Sequence, residues 1–161
     1  MNIALLTHSV RPRGGVIHTL ELADALVRRG HRVTVIASAE PGESLFRATA
    51  FPVELIRLPA LTGDLVEQVH QRIEALVRAL PPLLEQGGFD LLHAQDSVSG
   101  NALALLRARG ARVPRWLRTV HHLDDFTQET LNRWQERAWR SADGLASTMM
   151  PALSTSSIAS G

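Results

Sequence analysis

The sequence contains no cysteine and no lysine. Without cysteine there are no disulfides, no cysteine-ligated zinc, no thiolate catalysis and no iron–sulfur ligation. Without lysine there is no Schiff-base chemistry and no Walker-type phosphate lysine, since all 17 basic residues are arginine. Long apolar runs are also absent. Nowhere do about 18 apolar residues follow one another, so no membrane-spanning helix is expected. The opening Met1-Asn2-Ile3-Ala4-Leu5-Leu6-Thr7-His8 has no basic leader, and its apolar stretch is too short for a signal segment. A cytoplasmic location is the default expectation. The formal net charge of +1 gives no strong field of either sign, so no nucleic-acid partner is expected.

The 161 residues, 45% apolar and 20% charged, suit one globular domain with a sizeable core. Short apolar runs alternate with helical patterns. Strands are expected at Ile3 to Leu6, Val33 to Ala37, Val53 to Leu58, Phe89 to His93 and Trp116 to Val120, with a sixth from about Gly144. A first helix face runs through Val16, Leu20, Ala23 and Val27 and ends at Gly30. The longest helix follows an expected N-cap at Asp64 and carries Leu65, Val69, Ile73, Leu76 and Leu80, with Pro81-Pro82 expected to kink or end it. A third helix is expected from about Ser99 to Arg109. Asp125 with Gln128 resembles a capping box for a fourth, bearing Leu131, Trp134 and Ala138.

This alternation predicts an α/β fold, a Rossmann-like doubly wound parallel sheet of about six strands with helices on both faces. Residues 1–146 are the expected domain. Residues 147–161, rich in Ser, Ala, Thr and Met and without charge, are expected to be a disordered low-complexity tail.

In such sheets ligands sit at the carboxyl ends of the strands, where the winding direction reverses. Thr7, His8, Ser9, Arg11, Arg13, Gly14 and Gly15 follow the first strand. His93, Gln95, Asp96, Ser97 and Ser99 follow the fourth. His121, His122, Asp124 and Asp125 follow the fifth. Four of the seven histidines thus crowd one rim, which reads as a polar cleft. Gly14-Gly15 opens the first helix, where free N–H groups and the dipole favour an anion such as phosphate. The pair is equally a tight turn needing positive φ. The dinucleotide fingerprint is absent: there is no G-x-G-x-x-G, and Glu40 trails the second strand too loosely to support one. His121 or His122 can exchange a proton or bind a sugar hydroxyl, and with the neighbouring carboxylates can hold a divalent metal. Asp96, with Ser97 and Ser99, also suits a helix cap. His18 and His31 flank the first helix as packing or solvated residues, and His70 has no visible partner. The arginines at 107, 109, 112, 115 and 118 suit solvated helix ends, with a weak membrane-surface contact left open.

Several of these segments together resemble a known family. Ile3-Ala4-Leu5-Leu6, Arg13-Gly14-Gly15-Val16, Leu22-Ala23-Asp24-Ala25-Leu26, Arg29-Gly30-His31-Arg32-Val33-Thr34-Val35, Phe89-Asp90-Leu91-Leu92-His93-Ala94 and Thr119-Val120-His121 resemble, in order, the N-terminal domain of family 4 glycosyltransferases, which have the GT-B fold. The resemblance runs over about residues 2 to 145. It implies retaining transfer of a sugar from a nucleotide diphosphate sugar to a sugar or lipid-linked acceptor, usually without a metal or other cofactor. Gly14 and Gly15 would lie beside the donor phosphates and the acceptor, and His121 against the transferred sugar as the catalytic residue. His8, Asp96, His122 and Asp124 complete the expected substrate- and phosphate-binding set. The family's C-terminal domain, with its paired glutamates and most nucleotide contacts, has no counterpart here. A truncated chain, inactive alone, that self-associates or docks on a separate half is therefore expected. The alternatives are a non-catalytic binding domain and a small metal-dependent hydrolase using His121, His122 and Asp125.

Overall fold

The computed structural model describes residues 1–121 and 125–147. In chain order the elements are β1 (Asn2–Thr7), α1 (Gly14–Arg28), β2 (Arg32–Ala39), β3 (Val53–Arg57), α2 (Leu65–Gly87), β4 (Leu91–Ala94), α3 (Ser97–Ala108), β5 (Trp116–Val120), α4 (Glu129–Arg140) and β6 (Gly144–Ser147). The strands form one parallel sheet in the order β3-β2-β1-β4-β5-β6. The winding reverses between β1 and β4, which pair from Ile3↔Leu91 to Leu6↔Ala94. The expected α/β sheet of six strands is thus present, with its switch point at β1/β4.

Strand alternation explains the two cores. Successive β1 side chains point to opposite faces. Ala4 and Leu6 join Ile73, Leu76, Leu80, Leu103 and Trp116 on the face covered by α2 and α3. Ile3 and Leu5 join Leu20, Ala23, Val33 and Val35 on the α1 face. Full burial of each Leu stabilises the fold by about 1.5–3 kcal/mol relative to exposure. Ile3 to Leu6 of β1 are all apolar because both faces of the strand are covered.

Several boundaries differ from the sequence expectation, each for a local reason. The prolines do not end α2, which continues to Gly87. Pro81 and Pro82 are exposed, so the missing N–H donors fall on the solvent side, while Leu80 and Leu84 stay buried with Ile73 and Leu76. Packing of that stripe offsets an interior-proline cost of about 3 kcal/mol each. Asp64 does cap α2, in a reciprocal box with Glu67. α4 lacks the expected box: its N-cap is Gln128, without a side-chain cap bond. Asp125 is exposed, and the segment before α4 is fixed instead by Asn132, which bonds both the N–H and the carbonyl of Phe126. β4 begins at Leu91 rather than Phe89, where pairing with β1 begins. α1 starts at Gly14, as expected, and α3 starts two residues earlier than expected, at Ser97. Gly30 (φ 82°) closes α1, with His31 N–H bonding Leu26 and Gly30 N–H bonding Val27. Ser147, expected in the tail, is the last residue of β6, and the rest of that tail lies outside the described residues.

α4 reaches its site over α3 through a small-residue contact. A Cβ on Gly100 would lie 3.0 Å from the Ala138 Cβ and 3.3 Å from its carbonyl oxygen. Gly100→Val is therefore expected to lower stability by about 1–3 kcal/mol through overpacking. Urea unfolding checks this; an unchanged midpoint would show that the α3–α4 contact is loose.

Candidate functional site

The carboxyl rim of the sheet carries a cavity of about 560 Å³ at the switch point. Five expected site residues meet there: His8, Gly14, Gly15, Asp96 and His121. The other two, His122 and Asp124, lie outside the described residues. A larger cavity, about 630 Å³, lies at the opposite end of the sheet, lined by Leu84, Phe89, Val113 and Pro114. Those residues precede strands β4 and β5, whereas in open parallel sheets ligands bind beyond strand C-termini.

Asp96 joins the two loops that border the switch point. Its Oδ1 accepts the Ser99 N–H at 2.8 Å, capping α3, and its Oδ2 accepts the His8 N–H at 2.7 Å. The His8 Nδ1 lies 3.2 Å from the same oxygen. Burial by itself raises the Asp96 carboxyl, but His8, the Ser99 N–H and Arg118 outweigh it and hold the group well below the usual carboxylate range. The capping reading of Asp96 is correct, and its carboxylate is engaged within the protein. From the β2 side, Ser38 donates to the His8 carbonyl at 2.6 Å. Glu40 is ion-paired with Arg72, and Glu43 with Arg11 at 2.5 Å, so the acids after β2 fix the loop.

The N-terminus of α1 is open. Arg13 is its N-cap, no side chain caps it, and its first turn holds no acid. Gly14 and Gly15 do not have positive φ, so the tight-turn reading of this pair is wrong. Both already belong to the helix, where glycine costs about 0.5–1 kcal/mol relative to alanine. A Cβ on Gly14 would meet nothing within 4 Å, and one on Gly15 would reach only the His121 ring, at 3.8 Å. Neither glycine is required by the fold, and what their missing side chains leave is access from the cavity to the first amides of α1.

His121 follows β5 and faces Gly15. Its ring also meets His18 edge-on, with centroids 4.9 Å apart. His18 is therefore part of the site's surround rather than only a packing or solvated residue. Beneath them His93 is buried and shares a 2.7 Å hydrogen bond with the Thr119 hydroxyl. Burial, followed by the charges of His18, Arg118 and His121, lowers the His93 imidazole from 6.5 to about 4. His70, for which no partner was expected, stacks on Trp134 at 6.0 Å.

The five arginines considered as one surface do not form one. Arg107 pairs with Asp143 and Arg109 with Glu74, while Arg112 and Arg115 are exposed. Arg118 is only 7% exposed and lines the rim cavity, and its Nε and Nη1 have no hydrogen-bond partner. Burial lowers its pKa, with Asp96 acting against that shift. Gln95 beside it is 1% exposed, and neither amide atom is bonded. Sequence reading named Gln95 only as a rim residue and read Arg118 as solvated. The available signal was alternation: Arg118 sits two residues after Trp116, on the same strand face as that core residue, where arginine is rarely buried unpaired. Among the described residues, no group of three or more His, Asp or Glu is placed to hold a metal ion. No described helix is long and apolar enough to cross a membrane.

A family model described as Glycosyltransferase Family 4 matches residues 12–149. No curated protein sequence matches. Sucrose-phosphate synthase from Thermosynechococcus elongatus is similar in structure, with TM-score 0.69 and 19% identity over 89% of this chain and 41% of that one. MurG from Acinetobacter baumannii gives TM-score 0.56 and 16% identity over 94% of this chain and 43% of that one. HepE from Anabaena, solved with UDP and glucose, gives TM-score 0.55 and 20% identity over 90% and 37%. The chain thus spans about two fifths of the length of these proteins.

The histidine beneath the site makes stability depend on pH. Unfolded, His93 takes up a proton near 6.5; folded, it stays neutral down to about 4. Unfolding therefore binds a proton in that window, and stability falls as pH drops through it, by up to about 3 kcal/mol. His93→Gln is expected to flatten the slope between those pH values in urea titrations. An equal slope in the variant would show that His93 does not carry it.

Proposed function

The chain belongs to glycosyltransferase family 4, and on that premise we propose that it is the acceptor-side half of a retaining, GT-B-type sugar transferase. The donor is a nucleotide diphosphate sugar and acts as a substrate; no metal or other cofactor is required in this reading. The acceptor is a sugar or a lipid-linked molecule. The observation that carries the proposal is that the His121 ring shares a cavity with the uncapped start of α1, 3.8 Å from where a Cβ on Gly15 would stand. The departing diphosphate gains negative charge as the anomeric bond breaks. A helix N-terminus with free amides and no acidic residue in its first turn stabilises that charge. His121, across from it, is within reach of the sugar between phosphate and acceptor, where an imidazole can bond a hydroxyl. The occurrence of UDP and glucose in HepE supports this substrate class.

The rim described here offers one wall of such a site. In this reading a second α/β half closes over it and supplies most of the nucleotide contacts, whether it is joined to this chain or separate. Exposed apolar side chains at Ile17, in the first turn of α1, and at Leu65, at the start of α2, suit a covered surface. The exposed Arg112 and Arg115 leave room for a weak peripheral contact with a membrane on the cytoplasmic side.

The 161-residue chain alone is expected to give no measurable transfer from UDP-glucose; robust turnover would overturn the half-site reading. Joined to the nucleotide-binding half of a GT-B enzyme, it should become active, and His121→Ala should then lower kcat by about 10²-fold with little change in KM. Equal kcat in that variant would remove His121 from the proposed site.

A further inference from the structure

We propose that Arg118 and Gln95 form a seat for an anionic group, a phosphate or carboxylate, carried by the acceptor. The inference rests on the two-substrate reading above and gives the acceptor a chemical class. Both side chains line the cavity at the switch point, and both are almost fully buried. Together they leave four polar atoms without a partner: Nε and Nη1 of Arg118 and both amide atoms of Gln95. A buried guanidinium with two nitrogens unbonded is costly unless something in the functional state satisfies them. The guanidinium fork matches the paired oxygens of phosphate or carboxylate, and the Gln95 amide adds donors beside it.

The charges around the seat favour an anion. Asp96 is the carboxylate facing Arg118, and it is already bonded by Ser99 and His8. Arg13 lies on the same cavity, exposed, as does the open end of α1. The acceptor, rather than the donor, is assigned to this seat by its placement. Alternation along β5 puts Arg118 on the face of Trp116, which packs in the α2/α3 core. Thr119, which bonds His93, lies on the other face, and Gln95, two residues past His93, reaches the cavity from that side just beyond the end of β4. The Arg118 face also leads to a second cavity of about 480 Å³, which shares His8, Arg13 and Ser97 with the first. Val69, Phe126 and Trp134 give that cavity an apolar and aromatic wall for the body of a second molecule.

The test follows the Arg118 Nε–H resonance of the wild-type 161-residue chain by NMR as inorganic phosphate, and separately UDP, is added. Phosphate is expected to shift it saturably. Arg118→Gln and Gln95→Leu are expected to weaken phosphate binding by at least about tenfold while leaving UDP affinity within about twofold. Phosphate binding that leaves the Arg118 signal unmoved, or that is equally tight in both variants, overturns the proposal. So does a parallel loss of UDP affinity in Arg118→Gln, which gives the seat to the donor. A phosphate response without any UDP binding to the wild-type chain supports the seat and counts instead against the proposed donor.

Discussion

The rim depends on one carboxylate. Asp96 caps α3 through Ser99 and holds the backbone of His8, so a single side chain ties the loop after β4 to the loop after β1. These two strands are neighbours across the switch point, where chain connections diverge to opposite faces and leave a crevice. Without a tie the crevice would be bordered by two independent loops. With it, the His8 carbonyl is placed for Ser38 from β2, and Arg72 from α2 closes the ring by bonding the His8 carbonyl and Glu40, which follows β2. The depressed proton affinity of Asp96 expresses this tie, because His8, the Ser99 N–H and Arg118 all favour its ionised form.

On this frame the starts of α1, α2 and α3 differ usefully. α2 is closed by Asp64 and Glu67, and α3 by Asp96. α1 is left uncapped, begins with two glycines, and opens onto the cavity. Backbone amides that a cap would otherwise occupy are free for a ligand, and the absence of two side chains lets the ligand come close. The buried pair of Arg118 and Gln95 adds directed donors from the sheet itself. The site is therefore built from backbone and strand-borne groups, which the sheet holds in place.

Much of the fold was legible because it rests on periodicity. Apolar runs with β-branched residues marked β1, β2 and β5, and the Leu65-to-Leu80 stripe marked α2. What sequence reading missed were cases where tertiary packing overrides a local rule. Pro81 and Pro82 do not stop α2, because Leu80 and Leu84 bury on the core side of it. Asp125 does not cap α4, because the Asn132 side chain fixes the preceding turn. At the site, His8, Asp96 and His121, read from the sequence as strand-end residues, line one cavity in the structure. Arg118 and His18 were passed over because an arginine among arginines and a lone helix histidine look ordinary until the sheet brings them to the cavity. The glycine pair opens α1 as read from the sequence, but its backbone conformation excludes the positive-φ explanation.

The most direct test of the central claim is an amide NMR map of the 161-residue chain titrated with UDP-glucose. Shifts are expected at Gly14, Gly15, Val16 and His121, around the open end of α1. Shifts confined to the opposite end of the sheet, around Leu84, Phe89 and Val113, or no saturable shift at the rim, would contradict it.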